Sequence, residues 1–229
     1  MDLVSIVIPV YNGEQYIRQA LDSALAQTYK NIEIIVVNDA STDKTEDIVK
    51  QYSVKYLKHE TNKGLSAAMN TGLAHSKGQY LMELDCDDYI DKELVELSLQ
   101  WFEAKKTDIV GVWQKEFGDR GEIHYFHPNP THKDFLNGNK INCSSMYKRK
   151  VYEAMLKEYG FMYDEKLKVY QDWQAWIRAT KLGFTVATIP LPLFHYRIHK
   201  GSLITDMLAS NTRHDAFEVM KDSLPDIFK

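Results

Sequence analysis

The sequence predicts one α/β domain built on a mainly parallel sheet flanked by helices. In the first half of the chain, short apolar runs rich in β-branched residues alternate with stretches of helical periodicity, as expected for strands that are buried on both faces and joined by helical crossovers. No linker or internal repeat divides the 229 residues, a length that suits one large domain. The predicted strands cover residues 5–10, 32–37, 54–58, 80–84 and 108–113.

Helical segments lie between and after these strands. Asn12 and Gln15 have the spacing of a capping box and predict a helix that begins just after Asn12. A later strand over residues 184–189 should end at Pro190 and Pro192, because proline cannot donate to a sheet ladder. The mixture of Gly, His, Pro and Asn between 114 and 145 predicts loops and edge strands. One further helix is predicted around Ile48, and another from Leu65 to near Gly78. Helices are also predicted over residues 91–105, 148–159 and 172–182, and from Thr205 onwards.

Composition and charge exclude several classes of protein. The formal net charge of −4 and the lack of a basic stripe argue against nucleic-acid binding. Cys86 and Cys143 form no CxxC pair, so the sequence favours a reduced chain without structural zinc. No apolar run approaches the roughly 18 residues of a membrane span. We therefore expect a cytoplasmic protein without a transmembrane segment, which can still meet the inner face of a membrane as a peripheral protein.

Polar residues follow three of the predicted strands at the point where each strand ends. Tyr11 and Asn12 follow the first strand, Asn38 and Asp39 the second, and the acidic run 85–88 the fourth. In an open α/β sheet, ligands bind beyond the carboxyl ends of the strands. The glycine-rich loops of dinucleotide enzymes and P-loop NTPases are absent from the sequence. A bound nucleotide would therefore need a metal ion to handle its phosphates.

The run Leu84-Asp-Cys-Asp-Asp88 has the chemistry to hold such a metal ion. Carboxylates at alternating positions past a strand end can bind Mg²⁺ or Mn²⁺, and the cation in turn bridges a diphosphate. The structural alternative is an acidic turn that only favours the start of the next helix.

Four motifs occur in order along the first half of the chain. They are Ser5-Ile-Val-Ile-Pro-Val-Tyr-Asn12, Asn38-Asp-Ala-Ser-Thr-Asp43, Asn62-Lys-Gly-Leu-Ser-Ala-Ala-Met-Asn-Thr-Gly72 and Leu84-Asp-Cys-Asp-Asp88. Together they closely resemble glycosyltransferase family 2, and the resemblance runs from residue 4 to about residue 203. It implies the GT-A fold, with a Rossmann-like sheet and an acceptor-side C-terminal part, in a single domain over residues 1–229.

The resemblance implies a nucleotide-sugar donor, with UDP as the default nucleotide, and a bound Mn²⁺ or Mg²⁺. It places Tyr11 against the nucleobase and Asp39 at the edge of the base. It assigns the metal to Asp87 and Asp85, with His199 completing the site or contacting the diphosphate. The other residues that it places around the donor are Pro9, Asn12, Glu14, Asn62, Lys63, Gly64, Asn70 and Cys86.

The resemblance also implies a catalytic base near the acceptor. The segment Tyr170-Gln-Asp-Trp-Gln-Ala-Trp-Ile-Arg178 is similar to a family segment in which an acidic pair begins a helix and Trp-x-Arg follows. Gln171 replaces the first acidic residue. Asp172 occupies the second acidic position, and its carboxylate is expected to deprotonate the acceptor hydroxyl in a direct, inverting displacement. Further residues expected on the acceptor or phosphate side are Trp113, Trp176, Arg178 and Arg197.

The predicted donor-binding half covers residues 1–113, the acceptor and catalytic half residues 114–204, and a helical tail residues 205–229. The expected acceptor is a saccharide or a lipid-linked saccharide, and the tail would pack on its own domain or on a second copy in a homodimer. Two other functions stay open at the level of sequence. A nucleotidyltransferase also combines an α/β sheet with acidic metal ligands, although residues 11–14 lack its basic phosphate loop. A sugar-binding or assembly protein with a degenerate site would account for Gln171.

Overall fold

The computed structural model describes residues 2–119, 121–200, 202 and 213–224. The described strands form one mixed sheet with apolar clusters on both of its faces. The strands are β1 Val4–Val10, β2 Ile32–Asn38, β3 Lys55–Lys58, β4 Tyr80–Glu83, β5 Tyr89–Ile90, β6 Ile109–Gly118, β7 Ile123–His124, β8 Met146–Lys148 and β9 Val186–Ile198. The helices are α1 Ile17–Leu25, α2 Thr45–Val49, α3 Leu65–Ala74, α4 Leu94–Lys105, α5 His132–Phe135, α6 Arg149–Tyr159, α7 Gln171–Lys181 and α8 Arg213–Asp222.

The order of strands in the sheet is β3-β2-β1-β4-β8-β6-β9-β5, and β7 also pairs with β6. The pairs among β1, β2, β3 and β4 are parallel, and so is the pair of β6 with β9. β8 runs antiparallel to both β4 and β6, and β5 runs antiparallel to β9. The predicted α/β fold with a mainly parallel sheet is therefore confirmed, with one antiparallel strand at its centre.

Strand β1 shows why a parallel strand that is buried on both faces reads as a continuous apolar run. All seven of its residues are buried, with Val7 in one core cluster and Ile6 and Ile8 in the other. Burying an aliphatic side chain of this size contributes about 1.5–3 kcal/mol. Helix α3 packs directly onto β1 at Gly72, where an added Cβ would lie 2.2 Å from a methyl group of Val7. Glycine at this position therefore lets α3 lie close to the sheet, which fixes where its N-terminus points.

The predicted helix start at Asn12 is wrong. Helix α1 begins at Ile17, and no side chain caps it. Asn12 has a φ of 52°, and its side-chain oxygen accepts the backbone N–H of Thr42 instead. A turn closed by N–H groups of Tyr16 and Ile17 that donate to the carbonyl of Gly13 separates β1 from α1. Asn12 therefore ties two loops together rather than starting a helix.

The predicted end of the later strand at Pro190 is also wrong, because β9 continues through Pro190 and Pro192 to Ile198. Its pairing with β6 jumps from Val112–Ile189 to Gln114–Phe194. The two prolines lie inside this irregularity, where no ladder hydrogen bond is needed from them.

The predicted C-terminal helix lies only partly within the described residues. Helix α8 is described from Arg213, and residues 205–212 of the prediction lie outside the described part of the chain. Met220 and the following Leu224 are buried in the same core cluster as α7. Within the ranges given above, no helix combines the length and the apolar character needed to cross a bilayer.

Candidate active site

The carboxyl ends of β1, β2 and β4 border a cavity of about 400 Å³, which we call the first cavity. Tyr11, whose side chain is 52% exposed, follows β1 and lines this cavity, as do Gly64 and Leu65 at the N-terminus of α3. The sequence-predicted donor residues that the structure brings together here are Pro9, Tyr11, Asp39, Asn62, Gly64, Asp85, Cys86 and Asp87.

Asp39 is buried beside this cavity and holds the loop that precedes α3. Its Oδ1 atom lies 2.6 Å from Nδ1 of His59 and accepts the N–H of Lys63 at 2.9 Å. Its Oδ2 atom accepts the N–H of Gly64 at 2.7 Å. Thr71 fixes the other ring nitrogen of His59 at 2.9 Å. A carboxylate offers about four acceptor positions, so these three contacts leave one position for a ligand.

An acidic cluster lies where the first cavity meets the end of β4. Asp85, Asp88 and Cys143 each place one possible ligand atom within 4.8 Å of the others. Oδ1 of Asp85 and Oδ2 of Asp88 are buried and have no hydrogen-bond partner among the described residues. Burial and the neighbouring carboxylate of Asp87 raise the pKa of Asp85 to about 7 and that of Asp88 well above its usual range. Carboxylate oxygens are the ligands that a divalent cation prefers, and a bound cation would favour the ionised form of these buried acids. The unpartnered oxygens of Asp85 and Asp88 therefore fit a metal ion.

The last residues of β9 and the loop after it complete this cluster. Arg197 donates its backbone N–H to Oδ1 of Asp88 and its Nε–H to the carbonyl of Asp87, both at 2.8 Å. Nε2 of His199 lies 3.0 Å from Oδ2 of Asp87, and Nδ1 of His199 lies 2.8 Å from the carbonyl of Lys200. Since a carbonyl only accepts, Nδ1 carries a proton and Nε2 is the nitrogen that faces the acidic cluster. The structure therefore brings His199 to Asp87, and the metal ion expected at this pair stays a prediction.

A second cavity of about 900 Å³ lies on the other side of Asp85. Its wall includes Asp172 near the start of α7, together with Asn139 from the loop before β8. The side-chain N–H of Asn139 donates to Oδ2 of Asp172 at 2.8 Å. Burial raises the pKa of Asp172, although hydrogen bonds oppose the shift. A carboxylate with a raised pKa is a stronger base than an exposed one.

Asp85 lines both cavities, as do Leu65 and Tyr196. The acidic cluster therefore stands between the space beside the strand ends and the space beside Asp172. Two molecules bound in the two cavities would meet at this point.

Four of the residues that were predicted to bind the nucleotide-sugar donor line neither cavity. Asn12 and Glu14 accept backbone N–H groups of Thr42 and Lys44, so they hold the loop after β2. Asn70 binds both the N–H and the carbonyl of Tyr163 and thereby joins α3 to the segment before α7. Lys63 contributes its backbone N–H to Asp39. The side chains of Asn12, Glu14 and Asn70 thus make contacts within the protein, whereas the side chain of Lys63 is exposed.

The predicted acceptor-side residues on α7 also have structural roles. Trp176 is fully buried, packs edge-on against Tyr147 and lines neither cavity. The guanidinium of Arg178 lies over the ring of Tyr159 and 3.8 Å from Asp164, so its partner is an acidic neighbour and not a phosphate.

Trp113 and Arg197 likewise contact protein groups. Nε1 of Trp113 donates to the carbonyl of Phe126, and its ring packs edge-on against Tyr125. Phe126, and not Trp113, lines the second cavity. The guanidinium of Arg197 is engaged with Asp87 and lies over the ring of Tyr16.

Sequence reasoning missed several residues of the second cavity. Asn139 lies 33 positions before Asp172 in an irregular segment, where one asparagine among several turn residues gives no pattern. Phe217 of α8 stacks on Trp173 and also lines this cavity. The apolar residues of the tail were visible in the sequence, but the sequence did not show that the tail lines the second cavity.

Comparison with known proteins identifies the family. The sequence profile described as Glycosyl transferase family 2 matches residues 5–159. The chain belongs to this family. A glycosyltransferase of Rickettsia typhi is 35% identical over 225 residues, which cover 94% of this chain and 68% of that protein. The glycosyltransferase GlyA of Streptococcus pneumoniae is 33% identical over 219 residues, 88% of this chain but 31% of the relative. The chain thus spans about a third of GlyA.

Three further matches bear on the fold and on the chemistry of relatives. WfaP of Escherichia coli, a UDP-Glc:alpha-D-GlcNAc-diphosphoundecaprenol beta-1,3-glucosyltransferase, is 32% identical over 89% of this chain and 80% of its own length. Staphylococcus aureus TarS in complex with UDP-GlcNAc has a TM-score of 0.75 at 24% identity, over 89% of this chain and 60% of that one. A mannosyltransferase of Pyrobaculum calidifontis with GDP-Man and Mn²⁺ has a TM-score of 0.68 at 18% identity, over 88% and 58%. These likenesses confirm the predicted GT-A fold.

Proposed function

We propose that the chain is a metal-assisted glycosyltransferase that moves a sugar from a nucleoside diphosphate sugar, a UDP-sugar by default, to a hydroxyl group of an acceptor. The observation that carries this proposal is the position of Asp85, which lines both cavities with Asp39 on one side and Asp172 on the other. Family membership supports sugar transfer, and the relatives that bind UDP-GlcNAc or use UDP-Glc support the choice of UDP.

The first cavity suits the nucleotide. The exposed ring of Tyr11 offers a stacking surface for a nucleobase. Asp39 has one acceptor position left after its three internal contacts, enough for one N–H of the base. Asp85, Asp88 and the Asp87–His199 pair would hold Mn²⁺ or Mg²⁺, which would neutralise charge on the leaving diphosphate.

The second cavity suits the acceptor. Asp172 would accept the proton of the attacking hydroxyl, and Asn139 keeps its carboxylate in one orientation. Direct attack from this side would invert the configuration at the anomeric carbon. The acceptor would be a saccharide or a lipid-linked saccharide, in keeping with the lipid-linked acceptor named for WfaP.

A panel of UDP-, GDP- and dTDP-sugars with Mn²⁺ or Mg²⁺, read out as free nucleoside diphosphate, tests this function. We expect release with at least one UDP-sugar, and its loss on chelation with EDTA. Release of pyrophosphate instead would mark a nucleotidyltransferase. UDP binding without any turnover would mark a degenerate sugar-binding protein.

Asp172→Asn tests the assigned base. Because general base catalysis contributes about 10²–10⁴-fold, we expect kcat to fall by at least about 100-fold, with the dissociation constant of UDP within about twofold of wild type. The exposed Asp47 on α2 provides a matched control, since Asp47→Asn changes the same group in a residue that lines neither cavity. A fully active Asp172→Asn variant would refute the assignment.

A further inference from the structure

Two amide side chains beside Asp172 carry oxygens that the described part of the protein leaves unused. Oδ1 of Asn139 and Oε1 of Gln171 are buried, and neither has a hydrogen-bond partner among the described residues. Gln171 is 8% exposed, and both residues line the second cavity. Because a buried carbonyl oxygen without a partner is unfavourable, these atoms indicate hydrogen-bond donors that arrive with a ligand.

The orientation of Asn139 follows from its neighbour. Its Nδ2 atom lies 2.8 Å from Oδ2 of Asp172, and an ionised carboxylate can only accept hydrogen bonds. The N–H side of the amide must therefore face Asp172, which leaves Oδ1 for another group. Gln171 and Asp172 are the first two residues of α7, so the second free oxygen also lies next to the carboxylate in the chain.

The charges around the cavity restrict the group that supplies these donors. Asp85, Glu116 and Asp172 line the cavity, against Lys168 and the imidazole of His124. His124 lies 2.7 Å from Glu116, so its ring is already engaged with that carboxylate. An anionic ligand beside Asp172 would meet repulsion, whereas a neutral polyhydroxyl compound brings donors without charge.

We propose that Gln171 and Asn139 bind the acceptor, and that their amide oxygens accept hydrogen bonds from hydroxyl or acetamido N–H groups adjacent to the hydroxyl that Asp172 deprotonates. This inference rests on the proposed glycosyltransferase function and deepens it. The acceptor would then end in a neutral sugar that carries a hydrogen-bond donor next to the attacking hydroxyl. Gln171 would be a specificity-determining residue.

The first test separates the acceptor from the donor. A panel of octyl glycosides of glucose, galactose, mannose and N-acetylglucosamine, with the best UDP-sugar, supplies the acceptor probe. Gln171→Met keeps the approximate length of the side chain and removes its oxygen, so the loss of one hydrogen bond should raise the KM for the glycoside about fivefold to tenfold. The KM for the UDP-sugar should stay within about twofold. Gln171→Glu restores an oxygen at the same reach and should return the glycoside KM towards the wild-type value.

The second test uses monodeoxy analogues of the best glycoside. Removing the hydroxyl that Gln171 binds should weaken the wild-type enzyme about as much as Gln171→Met does, and should cause no further loss in that variant. Gln27→Met is the matched control, because Gln27 is also a buried amide but hydrogen-bonds to the carbonyls of Ser23 and Asp91 away from both cavities. It should lower the melting temperature without changing the KM for the glycoside.

Three results would overturn the inference. They are an unchanged glycoside KM in Gln171→Met, equal and additive losses with every deoxy analogue, and a raised KM in Gln171→Glu as large as in Gln171→Met. Release of UDP from the UDP-sugar in the absence of glycoside shows whether a negative result concerns only this inference or also the proposed function. Donor turnover with a wild-type-like Gln171→Met variant would remove only this inference, whereas no turnover of any donor would remove it together with the proposed function.

Discussion

The contacts of Asp39 predict a large effect of a nearly isosteric substitution, Asp39→Asn. In the native protein, one carboxylate accepts hydrogen bonds from His59, Lys63 and Gly64 in a buried position. An asparagine in the same place can keep one oxygen towards His59 and Lys63. Its amide nitrogen would then face the N–H of Gly64, and two donors cannot bond to each other.

The size of the effect follows from these three contacts. Leaving the buried N–H of Gly64 without a partner costs about 1–3 kcal/mol. The two contacts that remain lose the charge on the acceptor, and charge-assisted hydrogen bonds are roughly twice as strong as neutral ones, so each should lose about 0.5 kcal/mol or more. We therefore expect Asp39→Asn to lower the free energy of unfolding by about 2–4 kcal/mol.

Urea denaturation followed by circular dichroism measures this free energy. Asp22→Asn is the matched control, because Asp22 is exposed and the only described hydrogen bond of its carboxylate comes from the hydroxyl of Tyr52. The control should lose less than about 0.5 kcal/mol. A loss this small in Asp39→Asn would refute the reasoning that the carboxylate holds the loop before α3.

Three further predictions concern buried charge, backbone conformation and the metal site. Burial raises the pKa of Glu83 from 4.5 to about 8, so the folded protein keeps a proton that the unfolded chain has lost and stability falls as pH rises across this interval. Glu83→Gln should reduce that fall by up to about 1.4 kcal/mol per pH unit in urea titrations at pH 6 and 8, and an unchanged slope would contradict it. Gly64 has a φ of 91°, so Gly64→Ala should lower stability by about 1–3 kcal/mol although no atom lies within 4 Å of the new Cβ. Gly121→Ala, also in open space but without a positive φ, should have no such effect on the melting temperature. Arg197→Lys removes the geometry that holds Asp87 and should weaken Mn²⁺ binding about tenfold in calorimetry, whereas an unchanged affinity would show that the contact does not support the site.

The donor half of the fold was predictable because β1, β4 and most of β2 are buried on both faces. Continuous apolar runs such as the one in β1 mark parallel strands, and ligands bind at their carboxyl ends. Asp39 and Asp85 could therefore be named from local sequence alone. What local sequence could not show is that Asp39 serves His59 and Gly64, which lie 20 and 25 residues further along the chain.

The fold of the acceptor half was less predictable because it depends on pairing between strands that are far apart in the sequence. β8 has three residues and takes its place between β4 and β6 through contacts with strands far away in the chain. The prolines of β9 indicate a strand end locally, yet the pairing with β6 resumes beyond them. Trp176 and Arg178 belong to a motif, but their burial in the core shows that part of the motif maintains the position of α7.

Strand β9 also bears on how such a protein can be re-engineered. It lies between β6 and β5, pairs with β6 on both sides of its two prolines, pairs with β5 at Phe194 and His195, and delivers Arg197 to the acidic loop. A chimera joined once, after residue 113, would therefore replace β9, which holds the acidic loop, together with the acceptor cavity. Grafting a new acceptor preference onto this donor site would require two cuts, with β9 kept alongside the first half and only the segment between β6 and β9 replaced.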